Sequence, residues 1–174
     1  MEKLFGQAFY LLIAKYAHEV CFSDPSRPAV FAVDETWRVT LSEEGAAIVL
    51  EFIRDGRKVK AIILLGSHDP EVDFGGETLS GLIGTKIVMR HRNRRLAEKS
   101  VAWLGFDPNV RVDLIEKVQS LSPQDKNGVV PPDRRGESIV VDPMSQFGDL
   151  KILPPARRER AEAISSTPPS RTSV

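Results

Sequence analysis

The chain has 174 residues, 41% of them hydrophobic and 28% charged, with Lys+Arg and Asp+Glu balanced at 24 each. That length suffices for one domain with a proper core, and the balance excludes a global pull toward nucleic acid or an anionic membrane. A single cysteine, Cys21, excludes an internal disulfide and any cysteine-based metal cluster, and no apolar run approaches membrane-spanning length. Glu2 and Lys3 precede a mixed amphipathic segment rather than a secretory signal pattern, so the expected compartment is the cytoplasm.

From Lys3 to Val20, Leu4, Ala8, Leu11, Leu12, Tyr16 and Val20 recur near helical spacing and predict an amphipathic helix that stops at the turn-rich Ser23–Pro28. His18 in this helix has no metal-ligand partner at i+4 and reads as a surface or interface histidine. Ala29 to Val33 is unbroken apolar sequence, the pattern of a strand buried on both faces of a parallel sheet, and it ends in Asp34 and Glu35. A loop with Trp37 leads to a helix striped by Ala46, Val49, Leu50 and Ile53. Thr40 or Ser42 can cap it, Thr40 with Glu43 fits a capping box, and Gly56 is the C-cap candidate. Ala61–Leu65 is a second buried strand, which completes a βαβ unit, and Gly66–Pro70 leaves its carboxyl end.

A short helical segment at Thr78–Ile83 precedes a third strand at Lys86–Met89. Arg90–Arg95 opens a helix with Leu96, Ala97, Val101 and Leu104 inward, and Val112–Leu121 forms another with Leu114, Ile115, Val118 and Leu121 inward. Ser138–Val141 and Leu150–Leu153 read as a terminal hairpin. The expected class is α/β, a mainly parallel sheet flanked by helices, with a C-terminal β-hairpin. It divides into an ordered part over 1–155 and a disordered tail over 156–174, where Arg, Glu, Ser, Thr and Pro leave hardly an apolar anchor.

The chemistry concentrates at the carboxyl ends of the first two strands, where open α/β sheets collect ligands. Two adjacent acids there suit a metal ligand, Asp34, beside a base, Glu35, which is the Walker B arrangement of a nucleoside triphosphatase. Ser67 and His68 stand on the neighbouring loop, where a polar side chain can sense a terminal phosphate or orient water. Arg54 and Arg57 can reach a neighbouring subunit's nucleotide, against the plainer reading of a solvated helix end. The dense basic cluster Arg90, Arg92, Arg94 and Arg95 can touch DNA phosphates, although no interleaved aromatics support base stacking.

The stretches VFAVDETWRVT, EFIRDGRKVKAIILLGSHDPEVDF and IGTKIVMRH resemble the C-terminal half of conjugation and type IV secretion ATPases. These belong to the HerA/FtsK-like branch of P-loop motor proteins, and the look-alikes include ATP-binding proteins of actinobacterial conjugative elements. The resemblance implies that Asp34 helps coordinate Mg²⁺, that Glu35 polarises the attacking water, and that Arg54 and Arg57 act in trans across an oligomer interface. It also implies ATP as the nucleotide, P-loop ATPase subunits as partners, and docking on a membrane secretion complex at the inner face of the membrane. Ser67-His68 departs from the family's Ser/Thr-Gln pair, and Thr36 replaces its small alanine. No Gly-x-x-x-x-Gly-Lys-Ser/Thr loop is present to cradle phosphates, so use of ATP and Mg²⁺ depends on a partner segment and autonomous turnover is not expected. The expected function is therefore that of an ATPase-domain fragment serving DNA or protein transfer in conjugation. The alternative is a non-catalytic module that docks on a complete ATPase or secretion apparatus.

Overall fold

Two sets of strands organise the computed structural model, which describes residues 2–74, 77–153, 155–157 and 160. The tail expected over 156–174 thus lies outside the described residues, apart from 156, 157 and 160. In the first set, β1 (Ala29–Val33) and β2 (Ala61–Leu65) pair in parallel, with Ala29 against Ala61 and Val33 against Leu65. The ladder runs past both strands. Ala29 N–H donates to the Lys60 carbonyl at 3.1 Å, Gly66 N–H to that of Val33 at 2.7 Å, and Thr36 N–H to that of Gly66 at 3.0 Å.

The crossover passes through α2 (Trp37–Thr40), α3 (Glu43–Asp55) and a 3₁₀ turn at Gly56–Val59. Trp37 therefore opens a short helix where a loop was expected. Ser42 caps α3 by accepting the Gly45 N–H at 3.1 Å. Thr40 ends α2 instead, and its hydroxyl donates to the Asp73 carbonyl at 3.0 Å, so the capping box with Glu43 does not form. Gly56 has a helical φ of −52° and the left-handed residue is Lys60, φ 56°. What demands glycine at 56 is space, since a Cβ there would stand 2.5 Å from the Ala61 carbonyl oxygen.

The helix α1 (Glu2–Phe22) lies against α3, with Ala14 and Cys21 buried and the Phe52 ring in contact with those of both Phe22 and Phe31. His18 stacks on Phe22 at 4.2 Å between centroids and meets Phe52 edge-on, so it is an interhelix packing residue. Phe31, Val33, Ile63 and Leu65 fill the covered face of the β1–β2 pair. The other face is open: Val30, Ile62 and Leu64 are 57%, 54% and 57% exposed. This corrects the expectation of strands buried on both faces. A continuous apolar run shows that a strand tolerates cover on each side, and among the described residues only one side receives it. The open face borders a cleft of about 1070 Å³ that extends to Leu82, Ile83, Ile87 and Trp103, with Asp34 and Gly66 at one end and Arg57 and Lys60 at the other.

After the short helices α4 (Pro70–Asp73) and α5 (Glu77–Leu82), the second set forms an antiparallel sheet in the order β3 (Lys86–Val88), β4 (Glu137–Val141), β5 (Phe147–Lys151). It packs on α6 (Arg94–Trp103) and α7 (Val112–Ser120) through Val88, Ile139 and Val141 against Ala97, Val101, Leu114, Ile115 and Val118. The α/β class and the terminal hairpin are thus present. The third strand joins that hairpin, pairing Val88 with Ile139, rather than extending the parallel pair. Trp103 packs against both cores and stacks on Phe74 at 5.6 Å, while Lys86 donates to its carbonyl at 2.7 Å. Burial pulls the Lys86 ammonium below the ordinary lysine range. Among the described residues no helix is long and apolar enough to cross a membrane.

Candidate functional site

Strand β1 delivers Asp34 and Glu35 to the sheet's carboxyl edge, and the backbone turns sharply there. Glu35 is left-handed, φ 60°. A side chain in that region costs roughly 1–2 kcal/mol unless its surroundings hold it. Several contacts do so. Asp34 Oδ1 accepts the Glu35 N–H at 3.1 Å. Thr36, fully buried, donates both its N–H (3.0 Å) and its hydroxyl (2.8 Å) to the Gly66 carbonyl, which ties the acidic turn to the loop after β2. The Trp37 indole N–H donates to Glu35 Oε2, and His68 Nε2 lies 3.1 Å from Oε1.

The indole bond, working against partial desolvation and helped by His68 and Arg38, holds the Glu35 carboxyl below the usual carboxylate range. Such a group stays ionised at neutral pH. It suits orienting and polarising a water more than removing its proton outright.

The loop Gly66–Asp69 is set with equal care. Gly66 passes so close to the acids that a Cβ there would stand 2.9 Å from Asp34 Oδ1. The Ser67 hydroxyl donates to Asp73 Oδ2 at 2.6 Å, so it is engaged by the short helix α4 that follows its loop. Asp69 is clasped from the second core by Lys99, whose Nζ reaches Asp69 Oδ2 at 2.8 Å and Glu71 Oε2 at 2.9 Å. Burial works to raise the Asp69 pKa, but Lys99 and the backbone N–H groups of Val72 and Glu71 outweigh it and leave the carboxyl below its ordinary value.

The structure brings together four of the sequence-predicted residues, Asp34, Glu35, Ser67 and His68. It does not bring Arg54 or Arg57 to them. Arg57 follows α3 at the far end of the strands, and a five-residue strand spans about 16 Å. In the basic cluster, Arg90 is committed to the carbonyls of Gln119 (3.3 Å) and Ser122 (3.1 Å), and Arg94 pairs with Glu98 at 3.0 Å. Arg92 and Arg95 are exposed. Two residues take roles other than those read from the sequence. Thr36 is the buried tie between the acids and the second loop, and Trp37 is a donor to Glu35. An N–H-bearing ring two residues from an acid was the signal available for the second.

Among the described residues, no group of three or more His, Cys, Asp or Glu side chains is arranged to hold a metal ion. The exposed Asp34 carboxylate does fit Mg²⁺, which keeps several waters and takes one or two carboxylates together with phosphate oxygens. It does not fit an all-protein zinc site.

A family model described as an AAA-like domain matches residues 1–146, a span that includes the parallel pair, both acids and the Ser67-His68 loop. No curated protein and no solved structure matched the chain. The chain belongs to the AAA-like domain family, a family of nucleotide-binding P-loop ATPases.

Proposed function

We propose that the chain supplies one half of an ATPase site to a motor of the conjugation and type IV secretion class, which moves DNA or protein. The observation that carries this reading is the acidic turn. Asp34 and Glu35 stand side by side at the carboxyl end of a parallel strand pair, with Glu35 held in a left-handed conformation by donors from two elements. Asp34 would bind Mg²⁺, which when present neutralises charge on the nucleotide's outer phosphates. Glu35 would orient the attacking water, and the Ser67-His68 loop would face the terminal phosphate. The phosphate cradle would come from a glycine-rich loop of another segment or subunit, and Arg54 and Arg57 would serve a neighbouring site in trans, within an oligomer of P-loop ATPase subunits. Residues 1–155 would form the ATPase part, and 156–174 a tail.

A second reading has its own support. The open apolar face of β1–β2 and the adjoining cleft suit a module that docks on a complete ATPase or secretion apparatus without contributing to chemistry. One experiment separates the two: ATP hydrolysis by the chain mixed with a relative that carries the phosphate loop but a disabled strand-end glutamate. The half-site reading expects turnover only in the mixture, falling at least about 100-fold with Glu35→Gln. Turnover unchanged by Glu35→Gln would leave the docking reading standing. DNA contact through Arg92 and Arg95 would appear as salt-sensitive retention on DNA, lost in the double alanine variant.

A further inference from the structure

Glu35 is held by two donors of very different standing. Trp37 lies in the adjacent helix α2, and its ring is covered by the Arg38 guanidinium at 4.6 Å, so its N–H is a fixed partner of Oε2. His68 comes from the loop after β2. Its side chain is 86% exposed against 33% for Glu35, and its ring reaches the rest of the site through Oε1 at 3.1 Å. The tie between the two loops is made elsewhere, by Thr36 on the Gly66 carbonyl, so the imidazole can turn away without opening that tie. An exposed N–H on a side chain with free rotation is the group an arriving anion would compete for.

We propose that His68 is an exchangeable positioning residue: it occupies Glu35 Oε1 at rest and releases it when an anionic phosphate takes the imidazole N–H. Trp37 keeps Oε2 throughout, so the oxygen presented to water is Oε1 and its direction is set before the exchange. The ligand class is a polyphosphate terminus, whether nucleotide or free. This inference rests on the half-site reading of Glu35, and it adds to that reading which oxygen acts and what uncovers it.

The test uses the full chain, ¹⁵N-labelled, at one fixed pH, with imidazole and indole nitrogen signals observed by NMR. At rest, Glu35→Gln is expected to shift the His68 ring signals and the Trp37 indole signal together, whereas His68→Ala leaves the Trp37 signal at its hydrogen-bonded position. Titration of the labelled chain, mixed with the unlabelled relative that carries the phosphate loop, by Mg²⁺ and tripolyphosphate should then move the His68 signals away from their position in the ligand-free mixture with Trp37 unmoved. ATP in place of tripolyphosphate tells whether the nucleoside adds anything. His68 signals indifferent to Glu35→Gln, or static on titration, or Trp37 moving in step with His68 during the titration, would each overturn the exchange. The outcome is separable from that of the hydrolysis experiment. Exchange without turnover in the mixture retires the catalytic reading alone, and turnover without exchange retires the His68 role alone.

Discussion

At the scale of single residues, the acidic turn depends on side chains whose function is to hold other side chains. Thr36 shows this best. Its hydroxyl is fully buried and aimed at the Gly66 carbonyl at 2.8 Å, and the same carbonyl takes its N–H. Thr36→Val keeps the shape and the N–H bond but removes the hydroxyl donor. It should cost about 1 kcal/mol, seen as a lower urea midpoint with an unchanged slope. The place of the acids was legible in the sequence because an unbroken apolar run that stops at two carboxylates sets them at the carboxyl end of a strand. The contribution of Thr36 was not, because a threonine after Asp-Glu looks like an ordinary helix start until the second loop is folded beside it. Trp37 was hidden in the same way, because only the left-handed turn at Glu35 brings the indole N–H onto the carboxylate.

Among the elements, α6 and α7 follow the apolar stripes read from the sequence, since the 3.6-residue period selects the buried face; α3 is rotated from its expected stripe and buries Gly45, Ile48, Val49 and Phe52, with Ala46, Leu50 and Ile53 only half-buried. Pairing partners were harder to read. Strand β3 lies about fifty residues from β4 in the chain, and nothing local in Lys86–Val88 says whether its neighbour comes before or after it. The segment between β3 and α6 also carries a titrating group. Burial, reinforced by the nearby His68 and opposed by Asp69, pulls the His91 imidazole below its ordinary value. A histidine depressed in the fold binds its proton more readily when unfolded, so stability rises with pH. The contribution is complete above about 6.5 and is lost as pH falls below that value toward the folded pKa. Denaturation midpoints measured at about pH 7.5 and about pH 5.5 should therefore fall further for the wild type than for His91→Gln. The carboxylates held low by Arg134 and Arg111 titrate at still lower pH and leave that window clear.

Across the whole molecule, two cores meet at Trp103, and Lys99 of one clasps Asp69 and Glu71 beside the site loop of the other. The His68 loop is thereby anchored to both cores. The sequence could announce each core but not this clasp, because a lysine at one helical position and two acids thirty residues earlier have no signature in common. The same limit applied to the sheet: the apolar runs showed that Val30, Ile62 and Leu64 wanted cover, and only the fold shows that one side lacks it among the described residues.

That bare side has a thermodynamic signature of its own. If it is closed by another segment or subunit, apolar surface leaves water and the heat capacity of the system falls. Calorimetric titration with the partner at several temperatures should give a binding enthalpy that grows more negative on warming, with a slope on the order of tenths of a kcal/mol per kelvin. Val30→Ser and Leu64→Ser should flatten that slope while leaving in place the hydrogen bonds of the acidic turn, at the carboxyl end of the same strands. The sign of that enthalpy sets the response to temperature: the closed assembly tightens on warming while its binding enthalpy is positive and loosens once the enthalpy turns negative.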